Sequence, residues 1–222
     1  MNSGKFKIDQ WFSYLNSFWK SRLINLEKHI NKNNPLKISK MTNEITIEPE
    51  IKTDFRAPKV SKKLPRAVAD AANGVIVAVA DLAGSPEAAF RALTTNEVEQ
   101  WWKYSGFYNQ KEWKSEVRVG GAWSVTVELV NGGLVHAWGE FCELHFPSKI
   151  VMTRRFDSHP FLGERETTIS YRFEPITAGT RVTVRDEGFI GRSEAAYGNA
   201  EIWEHVLGWL DAYLERKSSA SN

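Results

Sequence analysis

A chain of 222 residues, 42% hydrophobic and 25% charged, can bury one full core and carry an appendage. Its amino terminus lacks an unbroken apolar core, and no stretch approaches the roughly 18 apolar residues of a spanning helix, so a cytoplasmic protein without signal peptide or membrane anchor is expected. The formal net charge of +2 hides an asymmetry: residues 1–40 hold eight Lys or Arg against Asp9 and Glu27, giving +6, and the other 182 residues carry −4.

That basic segment reads as one amphipathic helix. Ile8, Phe12, Leu15, Trp19, Leu23, Leu26 and Ile30 recur at three- and four-residue intervals, with Trp11 and Phe18 beside the stripe, and Asn33-Asn34-Pro35 stops it. Burying each such side chain is worth about 1.5–3 kcal/mol, so the stripe requires a partner. Phe12, Leu15, Trp19 and Leu26 are the candidate oligomer-interface residues, and a homodimer is the expected arrangement. Residues 35–64 are mixed, charged and proline-punctuated, which predicts a linker between the helix of residues 1–34 and a domain at 65–217, with a disordered tail at 218–222.

Within the domain, Val75 to Leu82 reads as a strand. Ser85-Pro86-Glu87 opens a short helix with a capping serine and proline in the first turn, and a second short helix covers roughly Glu97 to Trp102. From Ala122 to Leu129, Trp123, Val125, Val127 and Leu129 alternate with polar residues, the period of a strand with one buried face. Asn131-Gly132-Gly133 turns it into a strand from Leu134 to Leu144, and Phe146-Pro147-Ser148 ends that one. Ile150 to Phe156, Arg165 to Phe173 and Thr180 to Glu187 continue the meander, the last two joined at Thr177-Ala178-Gly179. Then the period changes to helical: Ile202, Trp203, Val206, Leu207, Leu210, Tyr213 and Leu214 give a broad apolar face between Glu194 and Arg216, with Ser193 as N-cap. The fold class is therefore α+β: a curved antiparallel sheet of about six or seven strands around a long C-terminal helix, with two short helices after the first strand.

Several ordered segments carry a family resemblance. Ala83-Gly84-Ser85-Pro86-Glu87 through Thr94, Gln100-Trp101-Trp102, Arg118-Val119-Gly120-Gly121, Gly139 through Pro147, Thr180-Arg181-Val182-Thr183-Val184 and Gly188-Phe189 resemble the START-like helix-grip superfamily (SRPBCC). The branch is the one similar to the ATPase activator of the ninety-kilodalton heat-shock protein. Members bind lipids, hormones, polyketides or other proteins, so the resemblance implies a binding domain without naming what it binds. Residues 8–31 resemble more weakly the last helix of ArsR-type winged-helix regulators. Nothing supplies a recognition helix and wing, so nucleic acid and membrane are not expected partners.

Catalytic constellations are absent from the pattern. His29, His136, His145, His159 and His205 are scattered without zinc spacing, so no metal and no cofactor is expected, and lone Cys142 reads as a small core residue. Strand parity instead places Trp123, Val125, Ile150, Met152, Arg154, Phe156, Ile169, Tyr171, Val182, Val184 and Asp186 on one face. Relatives in the resembled family commonly have an aromatic at Arg154 and often a histidine at Asp186. Two readings follow: a bulge sends Arg154 to solvent, or a buried cation pairs with Asp186 or an anionic ligand. The ligand-pocket candidates are Trp102, Trp123, Met152, Arg154, Phe156, Tyr171, Asp186, Phe189 and Trp203. The expected function is non-enzymatic binding of an apolar small molecule between sheet and helix, or of a client protein. The alternatives are a cyclase- or hydrolase-like enzyme using Arg154 and Asp186, and a regulator fused to a remnant of the ArsR-type helix.

Overall fold

Alternating burial along successive strands builds a single antiparallel sheet in a computed structural model that describes residues 65–104, 108–129, 133–157 and 162–220. The strands are β1 (Arg66–Asp70), β2 (Val75–Leu82), β3 (Lys103–Tyr104), β4 (Tyr108–Ser115), β5 (Ala122–Leu129), β6 (Leu134–His145), β7 (Lys149–Phe156), β8 (Thr167–Ile176) and β9 (Gly179–Glu187). Their order across the sheet is β1-β2-β9-β8-β7-β6-β5-β4-β3, so only the β2–β9 neighbours bring distant segments together. Three helices complete the domain: α1 (Pro86–Thr94), α2 (Val98–Trp101) and α3 (Ser193–Ala220). The amphipathic stripe of residues 8–31, its interface candidates Phe12, Leu15, Trp19 and Leu26, the linker at 35–64 and the Asn131-Gly132 turn lie outside the described residues.

The helix-grip architecture expected from the sequence is present, with nine strands where six or seven were expected. The additional ones have weak patterns. β1 half-buries only Ala67 and Ala69, β3 is two residues long, and β4 reads Tyr-Asn-Gln-Lys-Glu-Trp-Lys-Ser with a register shift between Lys111 and Lys114 that breaks the alternation. Ser85 caps α1 as expected, its hydroxyl accepting from the Ala88 N–H at 3.3 Å, with Pro86 in the first turn. α3 begins at Ser193 itself rather than using it as cap, and runs four residues past the expected end at Arg216.

Cys142 contradicts its reading as a core residue. The register between β6 and β7 shifts between Phe141 and Glu143, and the extra residue turns its thiol outward, where it is exposed. A bulge does this because two residues then face one on the partner strand, leaving the inserted side chain off the inward row.

The helices distribute unevenly over the sheet. α3 lies on β1 and β2, α1 on β8 and β9, and α2 on β4; among the described residues no helix packs closely against β5, β6 or β7. Small side chains permit the close approach of α3: Ala67, Ala69, Ala78 and Ala80 line the β1–β2 surface, and a Cβ at Gly84 would sit 3.2 Å from Leu214 Cβ. Trp203, Val206, Leu207, Leu210 and Leu214 form the buried face of α3. No helix among the described residues is long and apolar enough to cross a membrane.

Leu210 is fully buried on that face. Replacing it with Ala should therefore cost about 2–5 kcal/mol, the range for large-to-small changes in packed cores, in a urea unfolding titration. Stability unchanged within error would contradict the packing of α3 on the sheet.

Candidate functional site

Strand register assembles the polar centre of the interior. Met152 pairs with Ile169 and Ile169 with Asp186, while Ile150 pairs with Tyr171 and Tyr171 with Val184, so all six share the inward face of β7, β8 and β9. Arg154 pairs with Thr167, one inward position from Ile169 along β8. Its side chain therefore reaches diagonally across β8 to Asp186. Nη2 donates to both carboxylate oxygens, at 3.1 Å to Oδ1 and 2.8 Å to Oδ2, and Nε donates to Thr167 Oγ1 at 3.1 Å. The helix closes the other side, where the Trp203 indole Nε1 donates to Asp186 Oδ2 at 3.0 Å. The buried pair decides between the two readings of Arg154: no bulge turns it out, and the irregularity in this region falls on β6 instead.

The electrostatics follow from that enclosure. Burial pushes the Asp186 carboxyl above its ordinary value, against the opposing pull of the Arg154 charge and of hydrogen bonds from Trp203 and Arg154. Burial likewise drives the Tyr171 phenol well above its usual range, with Arg154 opposing. The pair forms a closed set: both Asp186 oxygens accept from Arg154, and one accepts from Trp203 as well.

Aromatic and apolar side chains surround this centre. The Arg154 guanidinium carbon lies 5.3 Å from the centroid of the Phe156 ring. Trp203 packs edge-on to Tyr171 at 5.8 Å and tilted to Trp102 at 5.9 Å. On β5, the Trp123 indole donates to the Thr153 carbonyl at 3.0 Å and stacks on Trp113 at 5.4 Å. Gly139 makes that reach possible, since a Cβ there would lie 2.0 Å from the Thr153 oxygen and 2.8 Å from Trp123 Nε1. Of the nine pocket candidates, Trp123, Met152, Arg154, Tyr171, Asp186, Phe189 and Trp203 are buried, and Trp102 and Phe156 are half-buried. Arg154, Tyr171, Asp186, Trp203, Trp102 and Phe156 form one connected group. Phe189 sits in the β9–α3 connection, its N–H donating to the Gly74 carbonyl at 3.1 Å.

Thr167 was missing from the candidates, although it shares the parity of Ile169 and Tyr171, and a buried hydroxyl in an apolar row signals a polar partner. Trp113 was also missing, because the polar β4 gave no strand to place it on. Among the described residues no group of three or more His, Cys, Asp or Glu could hold a metal ion.

Removing one partner of a buried pair leaves an uncompensated charge, so Asp186→Asn should lower stability by about 3–5 kcal/mol. Replacing both charges by Arg154→Met with Asp186→Leu should recover most of that loss in the same chemical denaturation experiment. A double variant as unstable as the single one would show that the pair's surroundings, rather than its uncompensated charge, set the cost.

The family described as Activator of Hsp90 ATPase homolog 1-like protein matches residues 83–215. No curated protein matches the chain. Among solved structures, a protein from Chromobacterium violaceum is 23% identical, covering 64% of this chain and 98% of its own, with a TM-score of 0.55. A protein from Rhodobacter sphaeroides is 16% identical over 69% of this chain and 99% of its own, at a TM-score of 0.60. A third, from Arthrobacter aurescens, is 19% identical over 68% and 91%, at 0.59. At these identities the likeness is one of fold.

Proposed function

The chain belongs to the Activator of Hsp90 ATPase homolog 1-like family, and on that premise we propose that its helix-grip domain is a non-enzymatic binding module that holds an apolar small molecule against the inner face of β5, β6 and β7. One observation carries the reading. Trp123, Val125 and Met152 on that face are apolar and each 5% exposed, with Phe141 and Ile150 beside them fully buried, and among the described residues no helix packs closely on these three strands. An apolar sheet face that no helix lies on is where a ligand gains most by excluding water.

The charges inside the domain support binding rather than reaction. Catalysis requires a base or acid with a proton-transfer role, and Asp186 is committed to Arg154 and Trp203. The pair orients the aromatic wall instead: Arg154 lies over Phe156, and Asp186 fixes the Trp203 indole that packs against Trp102 and Tyr171. A client protein is the second reading, favoured by Leu134 and Trp138, 54% and 40% exposed on the outer face of β6.

The neutral apolar fluorophore phenylnaphthylamine tests the first reading. The full chain should bind it saturably at one site, and Ala137→Phe, which places a ring on the inner face beside Val125, should weaken binding by about tenfold while near-ultraviolet circular dichroism keeps its native form. Equal affinity in a folded Ala137→Phe variant would move the ligand off this face.

A further inference from the structure

The inner face of β5 and β6 continues onto β4 through one polar side chain. Gln110 pairs with Val127 on β5, and Val127 with Val135 on β6, so the three form a row on the face that Trp123 and Val125 also occupy. Val127 and Val135 are half-buried, and Gln110 is 9% exposed. Its strand neighbours Asn109 and Lys111 are exposed, as the opposite parity requires, and the register shift of β4 begins only after Lys111. Regular pairing therefore turns the amide inward. Its Oε1 is buried and makes no hydrogen bond among the described residues. Every other buried polar or charged side chain described there makes at least one; Thr126, on the opposite face, donates to Glu112 Oε2 at 2.8 Å.

A carbonyl enclosed beside valines gives up its hydrogen bonds to water, and native interiors meet that cost with a partner for nearly every buried polar group. Leucine would fit the same apolar row without the cost. We propose that Gln110 is a specificity-determining residue of the sheet-interior site, its side-chain carbonyl accepting a hydrogen bond from a hydroxyl or N–H on the bound molecule. On the binding reading above, which this assignment presupposes, the ligand is an apolar body carrying one uncharged hydrogen-bond donor. The donor is uncharged because the row offers it no anion: an ammonium beside Val127 and Val135 would be buried against a neutral carbonyl alone. The polar groups deeper in the interior do not compete for this role, since Arg154 bonds both Thr167 and Asp186.

Backbone amide NMR titrations of the full chain with 2-naphthol and with 2-methoxynaphthalene test the assignment, because the two share a ring system and an oxygen and only the naphthol can donate. The parent should bind 2-naphthol about tenfold more tightly, and in Gln110→Leu the two affinities should become equal, by loss of naphthol binding rather than gain of the ether alone. The variant should melt no lower than the parent, since an apolar side chain of similar size removes an unsatisfied acceptor. Equal affinities in the parent, a preference for the naphthol that survives in Gln110→Leu, or a variant that melts well below the parent would overturn the role of Gln110 while leaving the binding reading in place. No saturable shift with either compound overturns the binding reading itself, and this assignment with it.

Discussion

The buried pair between Arg154 and Asp186 is the interaction on which the interior depends. It joins β7 to β9 across β8, draws in Thr167, and through the Trp203 indole ties the sheet to α3. Such a pair adds little net stability over apolar residues of similar size, because desolvating two ions costs about what their attraction returns. Its effect is geometric. A one-residue slip of β7 or β9 would turn one charge to solvent and leave the other buried alone, so the pair penalises every register of the opposite parity.

That register in turn sets where the helices can lie. Alanines on β1 and β2 admit the backbone of α3, and large side chains on its buried face fill the space down to β9 and β8. Across the sheet, the polar β4 receives α2, its Trp113 N–H donating to Glu99, while the Trp113 indole donates to the Thr94 carbonyl at the end of α1 at 3.4 Å and stacks on Trp123 of β5. Between these two covered margins lie β5, β6 and β7, whose inward residues are apolar apart from Arg154. Near the two ends of the strand order, carboxylates satisfy single backbone donors, Glu204 accepting from the Ala67 N–H at 3.1 Å and Glu99 from the Trp113 N–H at 2.6 Å.

Much of this architecture is legible in the sequence. Alternation in Ala122 to Leu129 and parity in Thr180 to Glu187 marked both the strands and their inward faces, Val75 to Leu82 read as a strand without an assigned face, and the helical period of Trp203, Val206 and Leu210 marked the gripping face. Arg154 and Asp186 stood out because two charges broke an otherwise apolar row. What stayed hidden has physical causes. β1 presents only alanines inward, β4 carries a register shift, and the Cys142 bulge changes parity within β6, where a period-two pattern cannot show which side the extra residue takes.

The central claim is that an apolar ligand lies on the inner face of β5, β6 and β7 and not on the outer face. Intermolecular nuclear Overhauser effects between methyl-labelled protein and bound phenylnaphthylamine locate it directly. The account predicts contacts to the methyl groups of Val125, Ala137 and Met152, which share that inner face. Contacts confined to Leu134 and the surroundings of Trp138 would contradict it and place binding on the outer surface of β6.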